Sequence, residues 1–367
     1  MGIEKGKISN SQLIFLITGF VQGSALTVGF IINITKQDTW LVVLSGTLLV
    51  FVMIWIYLNL AERFPGKNLI QINNLIYGPY LGTGISSLYL YWLLSLIAQH
   101  LRYMGDFFLA YLMTETPMVA ILIPFTFLCV WATRKGIEVI ARTSIILVSI
   151  TMISNLVLIC LLLKNIKLSN FLPLFELSMK DFIQGTNIIL TITYSDLLAF
   201  LMVVPYVNKT NKMKKSVFLG LTLGAMTIFY VTIQSIAVLG VTMTIWTTPF
   251  LEAVRLIDVA KTFTRLEMLV AFTLLITVFL KVSVLLYATE LSIAQMFNLR
   301  SYIPLGIPVG IICICLTIRL FESTVEQFYW GLNIWPIVAL PFEVLLPAIS
   351  LLIAKIRKLP QEKGGGS

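Results

Sequence analysis

Charge is scarce in this chain: 12% of its 367 residues are Asp, Glu, Lys or Arg, against 58% hydrophobic. That is roughly half the charged fraction of a soluble domain. Apolar runs of 18 or more residues follow one another almost from end to end, so the chain reads as an all-α polytopic membrane protein. Histidine occurs once, at His100. No partner of ligand spacing accompanies it, so it is read as a packed helix residue and no metal is expected. The four cysteines, Cys129, Cys160, Cys313 and Cys315, all fall inside apolar runs without C-x-x-C spacing. They read as helix-packing filler. No phosphate-binding glycine loop and no nucleophile–base pair is present, so hydrolase and ATPase chemistry lack support, no cofactor is expected, and the chain is not read as an enzyme. The net charge of +9 is no nucleic-acid footprint, because lysine and arginine hold loops on the cytoplasmic side of a membrane protein. The first apolar run lacks a small-residue cleavage site, so it is expected to stay as a span.

Hydropathy divides the chain into ten spans: Gln12–Thr35, Trp40–Leu60, Thr83–Met113, Pro117–Trp131, Ile137–Leu163, Asp181–Val207, Ser216–Val241, Arg265–Phe297, Pro304–Phe321 and Trp335–Ala354. An even number puts both termini on one side. Lysine and arginine favour the N-terminal side about two to one, largely through the cluster Lys209–Lys215, which predicts cytoplasmic termini. Residues 1–358 form one transmembrane domain, and residues 359–367 are a tail ending in linker-like Gly364-Gly365-Gly366-Ser367. Asn68–Tyr77 alternates apolar and amide residues and predicts a short amphipathic helix at the cytoplasmic face. Pro249–Phe263 predicts an external helix with Leu251, Val254, Ile257 and Val259 among charges. Cavity closure and ordinary interfacial packing are both open roles for it.

Two spans are interrupted. Val21-Gln22-Gly23-Ser24-Ala25 lies midway along the first, and glycine costs a helix about 1 kcal/mol relative to alanine. Broken backbone persists in lipid only where protein or a wet cavity covers it. The segment therefore reads as two half-helices around a ligand-facing gap, with close helix packing by small residues as the alternative. The sixth span carries Thr191-Ile192-Thr193-Tyr194-Ser195-Asp196 at its centre. An aspartate at mid-bilayer costs at least about 3 kcal/mol and must face a cavity or a partner. These spans open two five-span sets, residues 11–163 and 181–354, on either side of the polar loop Lys164–Lys180. Paired breaks at matching positions point to a five-plus-five inverted-repeat transporter fold of the LeuT type. Its half-helix ends present free N–H groups to an anionic ligand group.

From Gly23-Ser24 the chain continues through Pro65-Gly66-Lys67-Asn68-Leu69, Arg102, Thr116-Pro117 and Leu172-Pro173. Next come Tyr194-Ser195-Asp196, Phe200, Pro205, Phe263-Thr264-Arg265-Leu266-Glu267, Lys281 and Tyr287. In this order and spacing the chain, over residues 7–358, resembles the endospore germination permeases. These are the B subunits of nutrient germinant receptors, within the amino acid–polyamine–organocation superfamily. Relatives commonly carry Gly-Glu where this chain has Ser195-Asp196, so the acid is kept but shortened. The resemblance implies A and C receptor subunits as partners. It also implies residence in the inner spore membrane, with the termini on the core side.

The ionisable residues at membrane depth are Asp196, His100, Arg102, Asp106, Lys281, Glu290 and Glu343. Arg102 and Asp106, at i and i+4, can pair on one helix face, as a structural pair or as a gate near the outer mouth. In transporters of the resembled fold, sodium sits where span eight meets the span-one break. The resemblance thus implies that the Lys281 ammonium replaces that ion as a fixed cation or proton carrier. Pairing of Lys281 with Glu290 or Asp196 for assembly is the alternative. The expected pocket wall is Gln22, Gly23, Ser24 and Ala25, faced by Trp92, Leu96 and Ile97, with Thr193, Tyr194 and Ser195, then Lys281 and Leu285. A mostly apolar wall with a few directed polar groups suits a small nutrient, above all an amino acid. The expected function is nutrient sensing in a germinant receptor, and proton-coupled amino acid transport is the rival.

Overall fold

The first and sixth spans of this chain lose the α-helical ladder near their middles, the last span carries a shorter π-turn over Pro341–Leu345, and straighter helices pack around them. The computed structural model describes residue 4 and residues 6–208, 210–257 and 266–360. Among the described residues the chain is helical throughout, and the one strand-like pairing is a parallel bridge between Ile8 and Val207.

Helix α1 (Asn10–Gln22) starts at a capping box, in which Ser9 Oγ accepts from Gln12 N and the Gln12 side chain accepts from Ser9 N. It stops at Gly23, passes through a 3-10 turn over Ala25–Val28, and resumes as α2 (Gly29–Thr35). The chain continues through α3 (Thr39–Arg63), α4 (Leu69–Tyr77), α5 (Pro79–Tyr111), α6 (Met118–Arg134) and α7 (Ile137–Leu162). The sixth apolar stretch is interrupted where expected, and over a longer run. After α8 (Met179–Ile188) the backbone widens to a π-helix over Ile189–Tyr194, then tightens to 3-10 over Ser195–Met202 and Val204–Tyr206. Its second half never returns to α. Thr191, Ile192 and Thr193 are β-branched and weak helix formers. Outside contacts hold the widened turn: Tyr194 Oη lies 2.8 Å from Thr47 Oγ1, and Trp335 Nε1 donates to Thr191 O at 3.4 Å. The remaining helices are α9 (Thr210–Leu239), α10 (Pro249–Arg255), α11 (Glu267–Met296), α12 (Gly306–Leu320), α13 (Thr324–Asn333), α14 (Trp335–Leu340) and α15 (Leu346–Ile356).

Among the described residues, eight helical stretches are long and apolar enough to cross a bilayer. The first runs Asn10–Arg63 through the Lys36–Asp38 turn, and Met118–Arg134 is apolar but shorter. The sequence reading of ten counts the first stretch twice and admits Met118–Arg134. Helix α4 forms as expected, capped by Asn68 and Gln71. Its Leu69, Ile70, Ile72 and Ile76 are buried against α5, α11 and α15, while Leu75 stays exposed. Helix α10 buries Leu251 and Val254 against α7, α9 and α11. Val259 and the rest of that segment to Phe263 lie outside the described residues, as do Thr264 and Arg265.

Small residues do mediate close packing, on the partner of the first span. Helix α1 lies along α9, where a Cβ on Gly220 would fall 2.7 Å from Ile14 O and one on Gly224 2.6 Å from Val21 Cβ. Helices in lipid approach closely where such residues repeat at i, i+4. Gly224→Val is therefore expected to force α1 off α9 and cost about 1–3 kcal/mol, seen as a lower midpoint of thermal unfolding in detergent. Gly84→Ala, where nothing lies within 4 Å of the added Cβ, is expected to leave the midpoint in place.

Candidate ligand site at the helix breaks

The two irregular stretches meet through one carboxylate. Asp196 stands near the start of the 3-10 segment and is 1% exposed. Its Oδ2 lies 2.7 Å from Lys281 Nζ of α11 and 2.9 Å from His100 Nε2 of α5. Lys281, wholly buried, also donates to Ser24 Oγ at the break in the first span. Its ammonium sits 5.0 Å from the centre of the Phe20 ring, which packs edge-on against Phe200 at 5.1 Å. Four spans thus converge on a chain His100–Asp196–Lys281–Ser24. Burying two charges costs several kcal/mol per ion and is offset only by good geometry and further hydrogen bonds. Serine, histidine and a ring face supply those here. Asp196 Oδ1 has no hydrogen-bond partner among the described residues.

The gap expected at Gly23-Ser24 is occupied by the lysine itself. A Cβ on Gly23 would lie 3.0 Å from Lys281 Cδ and 3.1 Å from Thr277 O. The glycine therefore makes room for the lysine stem, and open space lies to either side of the break. One cavity of about 40 Å³ is bounded by Thr27 and Phe30 beyond the break, Leu96, His100 and Tyr103 of α5, Ile192, Phe321, and Gln327, Trp330 and Gly331 of α13. A second of about 30 Å³ lies between Gln22, Ala25, Asn155, Thr227 and Thr277. Volumes of this size admit a few water molecules, so an amino acid enters only if the surrounding helices part.

The residues expected in the pocket wall divide accordingly. Leu96 borders the first cavity. Gln22 and Ala25 border the second, where Gln22 Oε1 accepts from Thr151 at 2.9 Å and Nε2 donates to Thr227 at 3.0 Å. Gly23 and Ser24 face Lys281. Trp92, Ile97, Thr193, Tyr194 and Leu285 are buried but border neither void. Thr193 Oγ1 nevertheless lies 3.2 Å from Thr27 Oγ1 at the edge of the first. Ser195 begins the 3-10 segment, and its side chain lies outside the described parts of the structure. Thr193 and Tyr194 are packed because the π-turn is pinned to α3 and α14, whereas Trp92 and Ile97 on α5 and Leu285 on α11 are buried within the bundle.

Arg102 and Asp106 do pair, Nε to Oδ2 at 3.0 Å, and Arg102 Nη1 also donates to Phe321 O at 2.6 Å. The pair thus ties α5 to the end of α12. Glu290 is apart from Lys281: it is fully buried and accepts from Thr133 Oγ1 of α6 at 3.0 Å. Of the two partners weighed for the lysine, the structure uses Asp196. Glu343 is buried in a π-turn of the last span, where Tyr57 donates to its backbone carbonyl.

His100 is the residue that sequence reasoning missed. A lone histidine in an apolar span reads as packing, yet this one joins the cavity to the ion pair. A signal was present, since Trp92, Leu96 and His100 repeat at i, i+4, i+8 on one helix face, and the first two were already assigned to the wall. The contribution of α13 had no comparable signal.

A family model described as spore germination protein matches residues 7–325. The chain is 25% identical to spore germination protein KB of Bacillus subtilis (strain 168), over 99% of both chains. It is 24% identical to spore germination protein YndE of the same organism, over 96% of this chain and 97% of that one. Solved structures show the same fold. One is Mhp1, a nucleobase-cation-symport-1 family transporter in a closed conformation with bromovinylhydantoin bound. It matches at TM-score 0.70 and 14% identity, over 94% of this chain and 78% of its own. The other is a Na+-coupled sialic acid symporter in a substrate-bound outward-open state, at TM-score 0.64 and 11% identity, over 92% and 88%. An all-helical chain with two broken spans, matched by that model over most of its length, belongs to the spore germination permease family and carries a transporter fold of the LeuT type.

Proposed function

We propose that this chain is the nutrient-sensing membrane subunit of a spore germinant receptor, binding a small molecule, in the first place an amino acid, beside the two broken spans. The observation that carries the reading is the sharing of Asp196 Oδ2 by Lys281 and His100, because His100 also borders a cavity. A ligand entering that cavity meets the imidazole and, through it, the contact that holds spans one, three, six and eight together. Occupancy shifts the balance between open and closed arrangements by the ligand's differential affinity for them. The shift passes to A and C subunits in the inner spore membrane. The proposed topology is ten spans in a five-plus-five inverted repeat, residues 11–163 and 181–354 of a single domain, with both termini on the core side. Arg102 and Asp106 act as a gate.

In this reading the Lys281 ammonium is a fixed cation at the span-one break, so nutrient binding needs no sodium. The same protonatable set, lysine, aspartate and histidine in mutual contact, favours a second reading as a proton-coupled amino acid transporter. Uptake of labelled amino acid into proteoliposomes only under an imposed pH gradient would establish that reading and displace the first.

The decisive experiment is a thermal-shift screen of the purified chain against amino acids, sugars and nucleosides. One compound class is expected to raise the unfolding midpoint by mass action, equally in sodium and in choline buffers. No stabilisation by any class counts against a ligand site in the isolated chain. Lys281→Met and Asp196→Asn are each expected to abolish the ligand-induced shift and to cost about 3–5 kcal/mol of stability, because each strands a buried charge. The combined Lys281→Met and Asp196→Leu protein is expected to be more stable than either single variant, though still unresponsive. His100→Asn, which leaves the ion pair, is expected to weaken the ligand shift with a smaller change in basal stability.

A further inference from the structure

A void larger than those at the breaks lies away from both of them. A cavity of about 290 Å³ opens on the face that carries the N-terminus, between the end of α3 and the exit of the sixth span. Its lining combines apolar Val204, Pro205 and Met213 with polar Glu62, Lys67 and Asn211. Glu62 is already neutralised, with Oε2 2.7 Å from Lys214 Nζ. Lys214 is anchored in turn by Asn59 Oδ1 at 3.2 Å. The turn that presents Lys67 is open, because Gly66 adopts φ +72° with nothing within 4 Å of a Cβ there. Among the described residues the Lys67 side chain makes no hydrogen bond or ion pair. Arg63, Lys212 and Lys215 add positive charge nearby in the chain, so residues 62–67 and 211–215 hold five basic groups against one acid.

We propose that this cavity is a binding site for a phosphate-bearing anion, the headgroup of an anionic phospholipid in the adjoining leaflet. Lys67 supplies the charge and the Asn211 amide a directed donor. Val204, Pro205 and Met213 receive the glycerol portion. The depth is appropriate: Lys67 follows a membrane-length helix by one short turn, and basic pockets at such helix ends recruit acidic headgroups. Val204 and Pro205 also belong to the irregular stretch that bears Asp196, so a bound headgroup clasps the exit of that stretch to α3. The Pro65-Gly66-Lys67 turn, which the nutrient site does not use, thereby acquires a role.

The test places the full chain in nanodiscs of phosphatidylcholine alone, or with phosphatidylglycerol added, and reads the thermal midpoint. Phosphatidylglycerol is expected to raise it by about 3–5 °C. Lys67→Gln is expected to lose most of that rise and Lys67→Arg to retain it, as is Lys355→Gln, which removes a basic group from another helix. Soluble glycerol 3-phosphate added to phosphatidylcholine discs separates the two sources of the same chemistry. No effect upholds the lipid assignment, whereas a rise equal to that of the lipid overturns it in favour of a free phosphate ester. Equal loss in Lys67→Gln and Lys355→Gln would show diffuse surface attraction and sink the site. Should Lys67→Gln fold poorly, native mass spectrometry of the unaltered protein decides: a defined number of retained phosphatidylglycerol molecules supports the site, and none refutes it.

Discussion

A single carboxylate–ammonium contact at mid-depth organises this molecule. Neither Asp196 nor Lys281 is tolerable there alone, since an unpaired charge in a low-dielectric interior is among the costliest things a fold can contain. Each therefore dictates the shape of what surrounds it. The lysine stem needs a neighbour without a side chain, which Gly23 supplies, and its ammonium needs further acceptors, found in Ser24 and the face of Phe20. The carboxylate must be brought inward, which the change from π to 3-10 winding achieves by re-aiming the backbone at Ser195–Met202. Helix irregularity in both spans is the backbone's answer to one ion pair.

The same contact explains why the voids are small and divided. With the lysine filling the break, space remains only on either side of it, about 40 Å³ toward His100 and α13 and about 30 Å³ toward Gln22 and Asn155. The larger of the two has an aromatic rim in Phe30, Tyr103, Trp330 and Trp335. Phe328 of α13 stacks on Phe30 with ring centres 4.3 Å apart. Gly331, on the same helix, would place a Cβ 2.9 Å from that phenyl ring. Helix α13 is short and joined to α12 by a brief turn, and it packs tightly on Phe30 along one side of this cavity.

Much of this was legible in the chain itself, for a definite reason. Apolar length, the Gly23-Ser24 interruption, the polar run through Asp196 and the isolated Lys281 are local properties, and each carries its physical consequence with it. The small helix after Asn68 and the pairing of Arg102 with Asp106 likewise depend on residues three or four apart. Helix geometry alone brings those together. The family marks from Gly23-Ser24 to Tyr287 pointed to the spore germination family, which the match over residues 7–325 bears out.

What the sequence determined by itself was that the chain enters the membrane, that two of its spans break, and that charges lie where lipid cannot solvate them. Which charges meet was decided only by the tertiary structure. Lys281 pairs with Asp196 rather than Glu290, nine residues along its own helix, because the partner of a buried ion is set by how helices cross. His100 reaches Asp196 across 96 residues and Lys281 reaches Ser24 across 257. No periodicity spans such separations. The second wall of the cavity, built by α13 and α14, came from the packing alone, since a short amphipathic helix has no preferred neighbour until the bundle offers one.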